Sequence, residues 1–308
     1  MSKNSSKRKK QTGRSSLRHV ATIQRALLRW YEEKGRDLPW RHTRDPYRVL
    51  VSEIMLQQTQ VDRVIPKYRN FLRLFPTVQK LSRAPRASVI RAWAGLGYNR
   101  RAVYLHEVAK KVLRDFCGRV PTTIDELRML PGVGDYTAGA VAAFTGGSTK
   151  AFLDTNIKRV VGRLFFNTKS RRLPAEKKLS EYAQSLVPTK KGDAYFWHHA
   201  LMDLGATVCV ARTPTCAQCP LQKICPFPPF RDAVKKSHYA KRQPTFKDSD
   251  RFWRGMILSI LREHPKGIAL SPLLRVVAIP RHRMARLLGG LKRDGLLSRM
   301  NNAYMLPR

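Results

Sequence analysis

Acidic side chains are scarce in this chain. Its 308 residues hold 21 Asp and Glu against 60 Lys and Arg, a formal net charge of +39. A surplus on that scale goes beyond what solubility requires and draws in polyanions, nucleic acid first among them. Long apolar runs are missing as well. Nowhere do about 18 uncharged apolar residues follow one another, as a membrane-spanning helix would need. The opening "MSKNSSKRKKQTGRSSLRH" lacks the apolar centre of a secretion signal. The expectation is an intracellular protein, cytoplasmic and nucleoid-associated, with no membrane partner. Strand-like alternation of apolar and polar residues is absent until the far C-terminus. Cysteine is rare, with five in all.

What the chain does contain is apolar residues at helical spacing, as in "VATIQRALLRWYEE" and "YRVLVSEIMLQQTQVDRVIPKYRNFLRLF". Enough of them are present to bury a substantial core. The expected organisation begins with a disordered basic tail over residues 1–18, which carries seven cations and no acid and so suits phosphates without reading sequence. An all-helical domain follows over 19–228. "PFPPF" at residues 226–230 marks the passage into a linker over 229–250, and a winged-helix-like DNA-binding domain covers 251–308. That last domain combines three short helices with two apolar runs around Asn301-Asn302, and Arg281, Arg283 and Arg286 stand at the start of its third helix.

Four of the five cysteines crowd into "CVARTPTCAQCPLQKIC", residues 209–225. Cys209, Cys216, Cys219 and Cys225 are separated by six, two and five residues. Disulfides are rare in a reducing compartment, so metal ligation is the expectation. Four thiolates suit zinc and an iron–sulfur cluster alike, and spacing leaves both open. Cys117 stands apart and is expected to be a buried apolar side chain.

Three further stretches carry chemistry. In "TTIDELRMLPGVGDYTAGAVAAF", residues 122–144, a helix meets Pro131 and "GVG" turns the chain into a second helix. Gly132, Val133 and Gly134 bring backbone N–H groups to a helix start, where a phosphate can be held. In "AFLDTNIKRVVGRL" Asp154 precedes a helix, an N-cap position. In "VLVSEIMLQQTQV" Glu53, Gln57 and Gln60 fall on one stripe if a single helix runs through them.

Together these segments resemble the helix-hairpin-helix DNA glycosylases, and most closely the adenine DNA glycosylases of the MutY type. The matching stretches are "VLVSEIMLQQTQV", "AWAGLGY", "LPGVGDYTAGAV", "LDTNIKRV", "ALMDLGATVC" and the cysteine loop, in family order over about residues 22–226. The resemblance implies an all-α, two-lobed domain whose cysteine loop holds a 4Fe–4S cluster, and a monomeric chain with duplex DNA carrying a mismatched or damaged base as its partner. Glu53 matches the general acid that protonates the departing purine, and an apolar helix around it would favour the protonated form. Asp154 matches the carboxylate that stabilises an oxocarbenium-like sugar, kept ionised by a helix N-terminus. Asn156 matches a position near the reacting water. Tyr136 stands where the endonuclease III branch has its Schiff-base lysine, so base removal without strand cleavage is expected.

The resemblance also places Gln58 and Tyr98 in the base stack, with Gln57 and Thr59 beside them, and Arg212 on the DNA side of the cysteine loop. His198 and His199, in "WHHALMDLG", fall where the family has residues near the flipped base. Asn99 departs from the family's usual "GLGYY", and the C-terminal residues do not resemble the Nudix-like domain of typical members. The implied activity is monofunctional hydrolysis of the N-glycosidic bond of adenine paired with 8-oxoguanine or guanine. Thymine or uracil mismatch excision is the first alternative, and a non-catalytic Fe–S DNA-binding or redox-sensing protein the second.

Overall fold

The structure is a computed structural model that describes residues 5–146, 148–166, 174–227 and 246–308, with side chains from residue 19 onward. Its described helices are α1 (Ser5–Lys34), α2 (Pro46–Leu56), α3 (Val61–Leu74), α4 (Val78–Arg83), α5 (Arg86–Ala92), α6 (Arg100–Asp115) and α7 (Ile124–Arg128), then α8 (Asp135–Phe144), α9 (Thr155–Phe166), α10 (Glu176–Leu186), α11 (Lys191–Asp203), α12 (Asp250–Glu263), α13 (Leu270–Val277) and α14 (Arg281–Arg293). Strands β1 (Ile268–Ala269), β2 (Ser298–Met300) and β3 (Ala303–Met305) complete the list. None of these helices is long and apolar enough to cross a membrane. The chain divides into two compact units, one built from residues 1–38, 122–124 and 135–236, the other from 39–121, 125–134 and 237–308.

In the first unit, α11 is covered almost all round, because Ala194, Tyr195, Trp197, Ala200 and Leu201 are all buried. Asp203 at its end is fully buried, and Arg36 neutralises it through the backbone N–H (2.9 Å), Nε (2.8 Å) and Nη2 (2.6 Å). A buried carboxylate needs such a set of partners. The helix α8 buries Thr137 through Phe144 without a break, and its run of small side chains permits close packing. Helix α1 starts at Ser5, so the polycationic segment expected to be a disordered tail is part of the helix. Lys, Arg and Gln are good helix formers, and α1 runs through them into residues 19–34.

In the second unit, α2 is started by Asp45, whose carboxylate accepts from the N–H groups of Tyr47 (2.8 Å) and Arg48 (3.4 Å), with Pro46 in the first turn. The C-terminal segment has the winged-helix arrangement. Strand β1 falls between α12 and α13 and joins β2 and β3, which follow α14, in a three-stranded antiparallel sheet of order β1-β3-β2; Asn301 and Asn302 both take positive φ (46° and 60°) in the hairpin turn. Its core is continuous with the rest of the unit. Ile90 of α5 and Val103 of α6 lie in one cluster with Ile257, Leu261, Leu273, Met284 and Leu291.

Three expectations change here. Of the linker over 229–250, residues 229–245 lie outside the described residues, but the segment after it is packed against α5 and α6 rather than standing alone. Arg283 and Arg286 are each 3.1 Å from a carboxylate oxygen of Asp250, while Arg281 is exposed. Cys117 is exposed, not buried. It has φ 50° beside Gly118 at φ 74°, in the turn that ends α6, where the backbone reverses direction and carries the side chain outward.

Candidate active site

Asp154 sits at the N-cap of α9. Its Oδ1 accepts from the N–H of Ile157 (2.6 Å) and its Oδ2 from Nδ2 of Asn156 (3.0 Å). Burial pushes the carboxyl above its ordinary value, and the donors from Ile157 and Asn156, with the nearby Arg159 charge, pull against that shift. Desolvation is the larger cause, and the helix-end donors that were expected to keep Asp154 ionised oppose it. The N-cap role leaves the carboxylate charge in place to act on a neighbouring group.

From Asn156 a polar chain runs to the cysteine loop. Its Oδ1 accepts from Nη2 of Arg159 (2.7 Å), which also donates to the Gly205 carbonyl (2.5 Å), while Nε of Arg159 donates to the Cys209 carbonyl (2.7 Å). A π-helical turn at Leu204–Val208 continues α11 and delivers Cys209, whose N–H donates to Leu204 O at 2.6 Å. Arg163 fixes the next stretch by donating to the carbonyls of Val210 (2.9 Å) and Ala211 (3.0 Å) and to Sγ of Cys209 (3.2 Å). All four loop cysteines are free thiols. Burial, opposed by a backbone hydrogen bond at Leu221 and helped by the charges of Cys209, Cys225 and Cys216, pushes the Cys219 thiol up to about 11. Among the described residues no three His, Cys, Asp or Glu side chains converge on a point suited to one metal ion. Four thiols within one short loop are the donor chemistry that an iron–sulfur cluster takes. Arg212 is exposed on this loop.

Glu53 lies in the second unit, on α2, only 2% exposed between Ser52 and Ile54. The stripe expected to join it to Gln57 and Gln60 does not form. Helix α2 stops at Leu56 with Gln57 as its C-cap, and Gln60 instead precedes α3. Its freed carbonyls explain the stop. Arg101, which sequence inspection passed over, donates to the carbonyls of Ile54 (2.8 Å), Met55 (2.9 Å) and Gln57 (2.5 Å), to Thr59 Oγ1 (2.9 Å), and to the carbonyls of Leu96 (3.3 Å) and Gly97 (3.2 Å). The signal for it was the doublet Arg100-Arg101 at the start of an amphipathic helix pattern. Gln58 and Tyr98 flank this guanidinium, both exposed and both at positive φ, 53° and 43°. Non-glycine residues in that region are strained, and such strain concentrates at working sites.

The division between the units falls within the hairpin motif, after Gly134. Gly132 has φ 76°, and a Cβ there would meet Tyr104 Cδ2 at 2.8 Å, so the turn requires glycine. Val133 is buried and its N–H donates to Leu130 O at 3.2 Å; Gly134 is exposed. Tyr136 stands in the first turn of α8, edge-on to Phe152. His198 and His199 are core side chains in this structure: His198 stacks on Phe152 at 4.7 Å and His199 on Phe144 at 4.0 Å. Nδ1 of His198 lies 2.7 Å from Ala194 O, and burial lowers its pKa to about 4, which keeps the ring neutral.

The chain is similar to known proteins. The family model described as HhH-GPD superfamily base excision DNA repair protein matches residues 51–189. An adenine DNA glycosylase of Mycobacterium tuberculosis is 36% identical over 94% of this chain and 94% of its own length. The chain belongs to the adenine DNA glycosylase family. In this family member the match runs through the C-terminal segment, whereas a thymine/uracil-DNA glycosylase of Pyrobaculum aerophilum, 37% identical, covers 68% of the chain and 93% of its own length. A solved thermostable thymine-DNA glycosylase superposes with a TM-score of 0.63 at 33% identity, over 68% of this chain and 97% of its own. The fold expected from the sequence, a helical glycosylase domain with a small C-terminal segment of helices and a hairpin, is the one observed.

Proposed function

We propose that this adenine DNA glycosylase removes adenine paired with 8-oxoguanine or guanine in duplex DNA, without cutting the strand. The observation that carries the reading is the pair of differently housed carboxyls: Glu53, sealed in an apolar helix, and Asp154, held by helix-end donors. A departing purine needs a proton, and the sugar left behind needs a negative charge. Glu53 supplies the first and Asp154 the second. Two carboxyls in unlike surroundings divide these tasks in glycoside hydrolysis generally. Asn156 orients Asp154 and water. Gln58 and Tyr98 enter the base stack as the adenine leaves it, and Tyr136, lacking an amine, forms no Schiff base.

Cys209, Cys216, Cys219 and Cys225 hold a 4Fe–4S cluster. When bound, that group supplies the framework of the loop that carries Arg212 to phosphate, and base removal uses the protein's own carboxyls. Iron and acid-labile sulfide in the anaerobically purified, brown protein are the expected signature; a colourless protein with stoichiometric zinc would overturn the assignment.

The relatives that act on thymine and uracil support a second reading. Glu53 separates the two, because a pyrimidine leaves without protonation by such an acid. Excision is to be measured on duplexes containing A:8-oxoguanine, A:G, T:G and U:G, with and without alkali. Alkali-dependent cleavage at adenine supports the proposal; cleavage confined to T:G and U:G transfers the chain to the second reading.

A further inference from the structure

The winged-helix segment touches the proposed lesion-reading loop directly. The loop Trp93–Asn99 joins α5 to α6, the two helices whose Ile90 and Val103 share the core of that segment. Helix α12 lies against it at two points. Nη1 of Arg251 donates to the Tyr98 hydroxyl (3.2 Å), and Nη2 of Arg262 donates to Oδ1 of Asn99 (3.0 Å). Eleven residues separate these arginines, about three helical turns, so they lie on one face of α12. Beside them Asp294 pairs with Arg254 and stands 3.6 Å from Arg100, in the first turn of α6.

Asn99 is the N-cap of α6, yet its side chain makes no capping bond. An Asn there ordinarily accepts from the helix's own N–H groups; here its oxygen is taken by Arg262. That arginine is desolvated, with its pKa lowered by burial and its Nε without a partner. Nothing in the packing of α12 alone calls for a guanidinium at that place. The residue that departs from the usual family pattern is thus the residue the C-terminal segment grips, and its neighbour Tyr98 has φ 43°, a conformation that persists only under outside constraint.

We infer that Arg251 and Arg262 are positioning residues for lesion recognition: helix α12 braces the Tyr98-Asn99 loop so that the Tyr98 ring is presented to the base stack in one preset orientation. The winged helix then acts through this loop on the discrimination of lesion from intact duplex. It rests on the proposed role of Tyr98. A preset ring pays less ordering entropy on insertion, so the brace shows in lesion affinity and leaves the chemical step alone.

The test uses the full chain, a duplex whose target adenosine carries a 2′-fluorine that blocks excision, and 2-aminopurine beside the lesion to report insertion by its fluorescence. Arg251→Ala and Arg262→Ala are each expected to weaken lesion-duplex binding about tenfold, the loss of one charge-assisted hydrogen bond, and to reduce the fluorescence change. Affinity for undamaged duplex and single-turnover excision at saturating enzyme should hold within about twofold. Tyr98→Phe, which removes only the hydroxyl, should match Arg251→Ala, and the double variant should be no worse than either. Arg262→Lys, which keeps a donor for Asn99, should recover much of the loss. Equal weakening on undamaged duplex would make the arginines phosphate contacts and overturn the brace, as would additive losses in the double variant or no loss at all. Arg251 is exposed, so its variant decides the matter even if an Arg262 variant does not fold. Binding and fluorescence are read without base release, so a wild type that frees no adenine would sink the proposed activity and leave this result to be judged by itself.

Discussion

A methyl group on Gly205 would stand 2.6 Å from Cβ of Asn156, with the Asn156 Cα at 3.1 Å and carbonyl carbon at 3.2 Å. The end of α11 and the first turn of α9 therefore meet backbone to backbone, and the residue at the meeting point is the one that donates to Asp154. Gly205→Ala must push Asn156 away. Overpacking of this kind costs about 1–3 kcal/mol, and displacement of Asn156 should slow excision more than it weakens DNA binding. Thermal unfolding and single-turnover kinetics check both parts. Undiminished excision by a variant with lowered melting temperature would mean that Asn156 is not held in place by this approach.

Asp154→Asn keeps an N-cap of equal quality but removes the charge. Loss of electrostatic stabilisation at the reacting centre should reduce excision by at least roughly 10²–10³-fold, with duplex affinity nearly unchanged because phosphate contacts are untouched. Gel-shift and excision assays on the same A:8-oxoguanine duplex separate the two. A parallel fall in binding would make Asp154 a structural cap alone.

The legible part of this molecule was whatever depends on local pattern. The N-cap position of Asp154, the Asn301-Asn302 hairpin turn and the helical class all follow from spacing and turn chemistry. What was illegible depends on distant partners. Helix α2 was expected to run past Gln60, and it ends at Leu56 because Arg101, more than 40 positions on, takes the carbonyls of its last turn. The start of the third C-terminal helix offered Arg281, Arg283 and Arg286 as equals, but Asp250 pairs with two of them. Cys117 was expected inside on composition alone, and a positive-φ turn puts it outside. Burial likewise outweighs the helix end at Asp154, a balance that no linear motif contains.

Arg101 is the residue whose loss should be most general. It is 7% exposed, and burial lowers its pKa to about 10, so it stays charged at neutral pH. Arg101→Met would leave several inward carbonyls without donors, at about 1–3 kcal/mol for each group that finds no water. Arg101→Lys offers three donors from a single point in place of a planar fork. The lysine variant should fold with a lowered melting temperature and lose lesion binding, since the Gln58 and Tyr98 loops would no longer share an anchor. Equal melting temperatures for wild type and both variants would show that the guanidinium contacts carry no weight.

The raised carboxyl of Asp154 makes a prediction about pH whose sign is fixed by its cause. Burial, the larger effect, lifts the folded value above the ordinary carboxylate range. The unfolded chain gives up this proton at lower pH than the folded one. Between those two values the folded state holds a proton that the unfolded state has lost, so the carboxyl's contribution to stability is full below the unfolded value and is lost as pH rises through the folded one. Asp154→Asn has no proton to lose at that position and caps α9 equally well. Its stability relative to wild type should therefore rise with pH across the window that starts at the ordinary carboxylate value, about 3.9, and level off above the folded value. Urea unfolding of both proteins at steps from about pH 3 to about pH 8 measures the difference. In the same window wild-type excision should fall as pH is lowered, at a higher pH than an ordinary carboxylate would give, because only the ionised form stabilises the sugar. If the variant instead loses relative stability as pH rises, the donors from Ile157 and Asn156 outweigh burial, and Asp154 is the helix-held anion that its N-cap position first suggested.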